Sequence, residues 1–189
     1  MEKKLLALDI GMVCLNLRPQ LALASIGRNS YEELPPELLE AVAGLECGAI
    51  EPEVFFSSAA AMLNLPDDAP VDEWFNLILG GEMTGMADAL TAIAPEWDFV
   101  FLSDISRPHL DIVRRRLSFF DRAKGGVYSF EVGHRKPAAA MYSEFERRFG
   151  RPDLYVDDRE QNIAAALERN WNAVRFIDAD QFATVFKTI

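Results

Sequence analysis

A chain of 189 residues, half of them hydrophobic, has room for one domain with a sizeable core, or a core domain carrying a modest insertion. A formal net charge of −11 argues against nucleic acid as a partner, because binding it draws on a basic surface. The apolar run after Lys3 and Lys4 is broken by Asp9, too short and too polar for a signal peptide or a membrane span, so no membrane association and a reducing, cytoplasmic setting are expected.

In chain order, "KLLALDI" is a short apolar run with a charged end and reads as a buried strand. Cys14 and Cys47 fit no metal or redox spacing and read as ordinary buried or half-buried thiols. From Leu17 to Gly85 the chain reads as helices broken by Pro35-Pro36, Gly44, Gly48 and Pro52, with "VDEWFNLIL" as another short helix ending at Gly80-Gly81. Trp74, Phe55 and Phe56 read as the packing core of these helices. Four further strand-like runs follow: Trp97 to Asp104, Gly125 to Val132, Asp153 to Asp158 and Asn172 to Asp178. Helical patterns separate them at Pro108 to Leu117, Pro137 to Phe149 and Arg159 to Asn170, and Arg114-Arg115-Arg116 reads as a solvated helix face. Strands alternating with helices imply right-handed βαβ units and a Rossmann-like parallel sheet, an α/β fold. The stretch of about 70 residues that interrupts the alternation is too long for a plain loop and reads as a cap. The expected organisation is a core of residues 1–16 plus 86–189 and a helical cap of residues 17–85.

Ligands of open α/β sheets bind outside the carboxyl ends of the strands. Those ends carry Asp9, Ser103 and Asp157-Asp158, and Lys136 stands just before a helix. A carboxylate can attack phosphorus, magnesium takes oxygen ligands, and a serine and a lysine can meet the charge on phosphoryl oxygens.

These residues resemble the haloacid dehalogenase superfamily over essentially the whole chain. "ALDIGMV", "FLSDIS", "HRKPAAAMY" and "YVDDREQNIAAAL" look like its four motifs in order, and "GLECGAIEPEVFF" resembles the cap of a subgroup that includes bacterial alpha-D-glucose-1-phosphate phosphatase. The resemblance implies Asp9 as nucleophile and magnesium ligand, with the Gly11 carbonyl and Asp158 as further ligands and Asp157 in the same metal site, orienting water or Lys136. It implies Ser103 and Lys136 on the phosphoryl group, Asp104 beside them, and Asn162 facing the metal region. The acidic pair favours metal-dependent phosphoryl transfer over the metal-independent dehalogenases. The implied activity is magnesium-dependent hydrolysis of a small phosphorylated metabolite through an aspartyl phosphate.

Two residues depart from the common pattern. Many of these phosphatases carry a general acid where this chain has Gly11, which implies slow turnover, a leaving group that needs little protonation, or a substitute acid from the cap, where residues near Glu51 and Glu82 are the first to test. Asp104 stands where the subgroup usually has asparagine, and is expected to point away from phosphate or to pair with Arg107. The alternatives left open are a weak or inactive homologue that binds a phospholigand or a protein, and a metal-independent dehalogenase. His109 and His134 read as supporting or solvated side chains.

Overall fold

The computed structural model describes residues 3–66 and 68–187. Strand β1 (Lys4–Leu8) lies at the centre of a five-stranded sheet because its residues alternate between two apolar faces. Leu6 and Leu8 join Phe99 and Phe101 on one side, while Ala7 joins Val100, Leu102 and Tyr155 on the other. The sheet order is β5 (Gly126–Tyr128), β4 (Trp97–Ser103), β1, β6 (Leu154–Asp157), β7 (Ala173–Arg175), and every pairing is parallel. Leu8 pairs with Phe101 in β4 and Val156 in β6, so the residues just beyond these three strands share one edge.

Helices cover both faces. The first face is closed by α5 (Met86–Ile93), α6 (Arg107–Arg116) and α10 (Ala179–Val185), through Met86, Leu90, Val113 and Phe182. The second is closed by α8 (Ala139–Phe149) and α9 (Glu160–Glu168), through Met141, Phe145, Ile163 and Ala166. No helix among the described residues is long and apolar enough to cross a membrane.

The inserted helices are α1 (Pro19–Ser25), α2 (Pro36–Glu46), α3 (Pro52–Met62) and α4 (Val71–Asn76). Proline in the first turn of α1, α2 and α3 costs nothing there, since those N–H groups have no intrahelical acceptor. The four helices bury their own cluster of Leu23, Leu38, Leu45, Phe55, Ala59 and Phe75, apart from the two sheet faces. Cap and sheet meet closely at Gly48 (φ +66°), where a Cβ would sit 2.2 Å from the Phe130 carbonyl oxygen, so glycine is required by space and by backbone angle.

Three local readings need correction. "VDEWFNLIL" is helical only to Asn76; Leu79–Glu82 is instead a strand, β3, antiparallel to β2 (Leu15–Leu17). Arg116 at the end of α6 donates to the Leu79 and Gly80 carbonyls, which supports this ribbon from a residue whose run reads as merely solvated. The Gly125 to Val132 run is a strand only over Gly126–Tyr128, and Ser129–Val132 turns into a short helix, α7. Buried Ser129 explains the switch: its hydroxyl accepts from the Ile105 N–H at 2.9 Å and donates to the Glu46 carbonyl at 2.6 Å, joining the loop after β4 to the end of α2. Helix α10 has no counterpart in the sequence reading.

Candidate active site

Beyond β1, β4 and β6 the chain delivers Asp9, Ser103 and Asp157-Asp158 to the shared edge, and the loop before α8 brings Lys136 beneath them. The Lys136 ammonium is buried and uses three donors on three acceptors: Asp9 Oδ1 at 2.9 Å, Asp157 Oδ2 at 2.6 Å and the Leu102 carbonyl at 2.9 Å. Burial alone would make Lys136 less basic, but Asp9, Asp157 and Asp104 more than offset this and hold it well above the ordinary lysine range.

Asp157 is fully buried and its oxygens are taken up. Besides Lys136 they accept from the Tyr155 hydroxyl, the Arg159 N–H at 2.8 Å and Asn162 Nδ2 at 3.0 and 3.1 Å. Burial works to raise the Asp157 pKa, and Lys136 with these donors keeps it below the usual carboxylate value. Asp9 has fewer partners. Burial raises it to about 7; Lys136 pulls it down, while the charges of Asp157 and Asp104 push it up. Asp158 is half-buried and is raised by burial and by Asp157.

Carboxylate oxygens of Asp9, Asp157 and Asp158 lie within 4.8 Å of one another. Three acids at this spacing, with Asp104 nearby, outnumber the single buried lysine, and the surplus negative charge calls for a cation. An all-oxygen donor set suits a hard divalent ion such as magnesium. Asn162 supports the fit. Its amide nitrogen serves Asp157, and its Oδ1 is buried with no hydrogen-bond partner among the described residues.

Asp104 does not pair with Arg107. Its Oδ1 accepts from the Lys136 main-chain N–H at 2.8 Å, fixing the loop that carries the lysine. Arg107 lies over the Phe130 ring at 4.9 Å. Ser103 is buried at the end of β4. Gly11 lies in a loop where the Ile10 carbonyl accepts from the N–H groups of Val13, Cys14 and Leu15. His134 is exposed and lines no described cavity, whereas His109 is buried and stacked on Phe75 with ring centroids 4.1 Å apart. Phe55 is cap core, but Trp74 faces a cavity as well as the cap.

Two cavities meet here. One, of about 680 Å³, is lined by Asp9, Lys136, Asp158, Arg159, Gln161 and Asn162. The other, of about 420 Å³, lies under the cap. Gly11, Leu17, Tyr31, Glu46, Asp104 and Arg135 line both. The sequence reading missed Glu46 and Arg135, which pair at 2.9 Å across the seam between cap and sheet. Glu51 and Glu82 line neither cavity, and Glu82 accepts from the Ser118 N–H at 2.6 Å. An acid closing the apolar last turns of a helix, as in "AVAGLECG", was the available signal for Glu46.

The fold is one shared with solved haloacid dehalogenase (HAD) family enzymes. A HAD family enzyme from Bacteroides thetaiotaomicron superposes with a TM-score of 0.84 at 18% identity, over 98% of this chain and 99% of that one. The same enzyme in complex with magnesium and inorganic phosphate gives 0.82 at 20% identity, over 98% and 100%. L-2-haloacid dehalogenase from Xanthobacter autotrophicus with chloropropionic acid covalently bound gives 0.65 at 16% identity, over 92% and 77%. No family model matches the chain. No curated protein matches it either.

Proposed function

We propose that this chain is a magnesium-dependent phosphatase that hydrolyses a small phosphorylated molecule through an aspartyl phosphate on Asp9, with residues 17–85 capping a core of 1–16 plus 86–189. The observation that carries the reading is the excess of carboxylate around one buried ammonium: Asp9, Asp157 and Asp158 clustered within 4.8 Å, with Lys136 bridging the first two.

Asp9, Asp158 and the Gly11 carbonyl would hold magnesium, which when bound supplies positive charge to the phosphoryl oxygens. Asp157 anchors Lys136 and Asn162 around that site. Lys136 holds Asp9 through Oδ1, leaving the second oxygen to attack. As the new oxygen–phosphorus bond forms, the bond to the leaving oxygen breaks, and Lys136 and Ser103 meet the charge on the phosphoryl group. Gly11 offers no proton, so the leaving oxygen takes one from water. A second water then adds to phosphorus, the bond to Asp9 breaks, and inorganic phosphate leaves with the carboxylate restored.

A panel of phosphate esters and acyl phosphates assayed with and without magnesium tests the reading. Magnesium-dependent release of phosphate is expected, with Asp9→Asn lowering kcat by about 10⁴-fold or more. Turnover that survives chelation, or an active Asp9→Asn variant, would reject it. Gly11 favours a second reading, a weak or inactive homologue that binds a phospholigand or a protein. That reading takes the lead if no ester or acyl phosphate is cleaved.

A further inference from the structure

The 420 Å³ chamber is unlike its neighbour. Leu23, Leu34, Leu38 and Val42 of the cap face Ile10 and Ile105 of the core across it, and its volume is that of a small-molecule site. Its wall is mostly apolar, and several of its few polar groups are already engaged. Trp74 Nε1 donates to the Ala22 carbonyl at 2.7 Å. His109 Nε2 donates to the Phe75 carbonyl at 3.2 Å, since a carbonyl can only accept. Glu46 and Arg135 engage each other at the rim. Gly11, with no side chain, stands where this chamber joins the carboxylate cavity.

Resting on the phosphatase reading, we infer that the chamber receives the leaving group and that the substrates are monophosphate esters of apolar alcohols or phenols. A sugar placed here would bury most of its hydroxyls against leucine, isoleucine and valine side chains, at a cost of about tenfold in affinity for each left unpaired. An alkyl or aryl group gains instead: each methylene buried adds about fourfold. The chemistry is unchanged. The bond from phosphorus to the ester oxygen breaks, that oxygen is protonated by water, and the apolar alcohol remains under the cap until it is released.

Calorimetric titration with straight-chain alkylphosphonates, from methyl to octyl, in the presence of magnesium reads the chamber without requiring turnover. Affinity should rise about fourfold per methylene to a plateau where the chamber is full. A phosphonate carrying a polyol chain should bind no better than methylphosphonate. Ala43→Phe and Ala22→Leu, each adding bulk to the wall, should bring the plateau to shorter chains; the wild-type series decides the matter if a variant fails to fold. A flat series with methylphosphonate still bound overturns the chamber alone, as does a polyol phosphonate binding as tightly as octylphosphonate. A rising series with no hydrolysis of the matching alkyl, aryl or acyl phosphates keeps the chamber and removes the phosphatase. Binding of no phosphonate at all overturns both.

Discussion

In the carboxylate cavity, Lys136, Asp9 and Asp157 lie buried, and each is held by directional partners at hydrogen-bond distance. Across Gly11, the chamber under the cap is walled mostly by leucine, isoleucine and valine, and Trp74 and His109 turn ring N–H groups onto neighbouring carbonyls. The two regions respond to change in different ways. A buried ion network depends on every member, because removing one leaves another charge uncompensated. An apolar wall depends on volume, and tolerates exchanges that conserve it. On the proposed reading, one half of the site would fix a reacting group, while the other would select by size and polarity.

After the loss of Asp9 itself, the largest expected effect comes from the residue at the boundary. A Cβ on Gly11 would meet Leu17 Cδ1 at 3.4 Å, an ordinary contact, so Gly11→Asp fits without forcing the backbone. The added acid should speed cleavage of simple alkyl phosphates by up to ~10²–10⁴-fold while changing activated aryl phosphates little. In the wild type, log kcat plotted against the pKa of the leaving alcohol should fall steeply; in the variant it should flatten. Equal slopes would mean that an acid already acts from elsewhere, and Glu46 is the first to test.

Next comes the network itself. From sequence, Lys136 offsets the charge of Asp9 and the phosphate, and its removal should lower activity while sparing the fold. Its burial and three bonds predict otherwise. Lys136→Ala should cost about 3–5 kcal/mol of stability, measured by urea unfolding, by leaving Asp9 and Asp157 facing each other. Magnesium should recover part of that loss, because a cation replaces the missing charge. A variant as stable as wild type would remove the network from the account.

On the apolar side, pH is the probe. Burial holds the His109 ring down at about 4, against 6.5 for the free side chain, with Arg116 adding to the effect and the bond to Phe75 opposing it. As pH falls from 6.5 toward 4, the unfolded chain takes up a proton that the folded ring refuses, so this contribution is present above 6.5 and lost below it. The loss is on the order of 3 kcal/mol. Asp9, raised to about 7, works in the opposite direction over the same range. The comparison is therefore between wild type and His109→Phe: the stability difference should shift against wild type by that amount between pH 7 and pH 4, and parallel profiles would refute the buried neutral imidazole.

The smallest effect is expected at the seam. The Arg135 and Glu46 side chains are 45% and 26% exposed, so Arg135→Ala should cost less than about 1 kcal/mol in the same unfolding assay. A larger loss would mean that the pair holds the cap in place.

Much of the sheet was legible because a parallel strand buried on both faces appears as a continuous apolar run ending in a charge. "KLLALDI", "WDFVFLSD" and "DLYVDD" carry that signal, and their order along the chain places Asp9, Ser103 and Asp157-Asp158 at related strand ends. The β2–β3 ribbon was not legible. Leu15–Leu17 and Leu79–Glu82 are short, and each makes sense only beside the other, more than 60 residues away. Ser129 ends β5 for a similar reason, since its partners come from Ile105 and Glu46.

The site divides along the same line. The sequence by itself determined which residues could carry phosphoryl chemistry, because a carboxylate, a lysine or an acidic pair has its reactivity in the side chain and its place in the strand or helix that ends beside it. Only the tertiary structure decided how charge is shared among them. Lys136 serves two aspartates at once, and Asp104 holds the lysine's main chain rather than facing Arg107. The chamber, too, belongs to the tertiary structure alone. Its walls come from α1, α2, α4 and the loops after β1 and β4, and a space between distant segments exists only once their packing has fixed the distances.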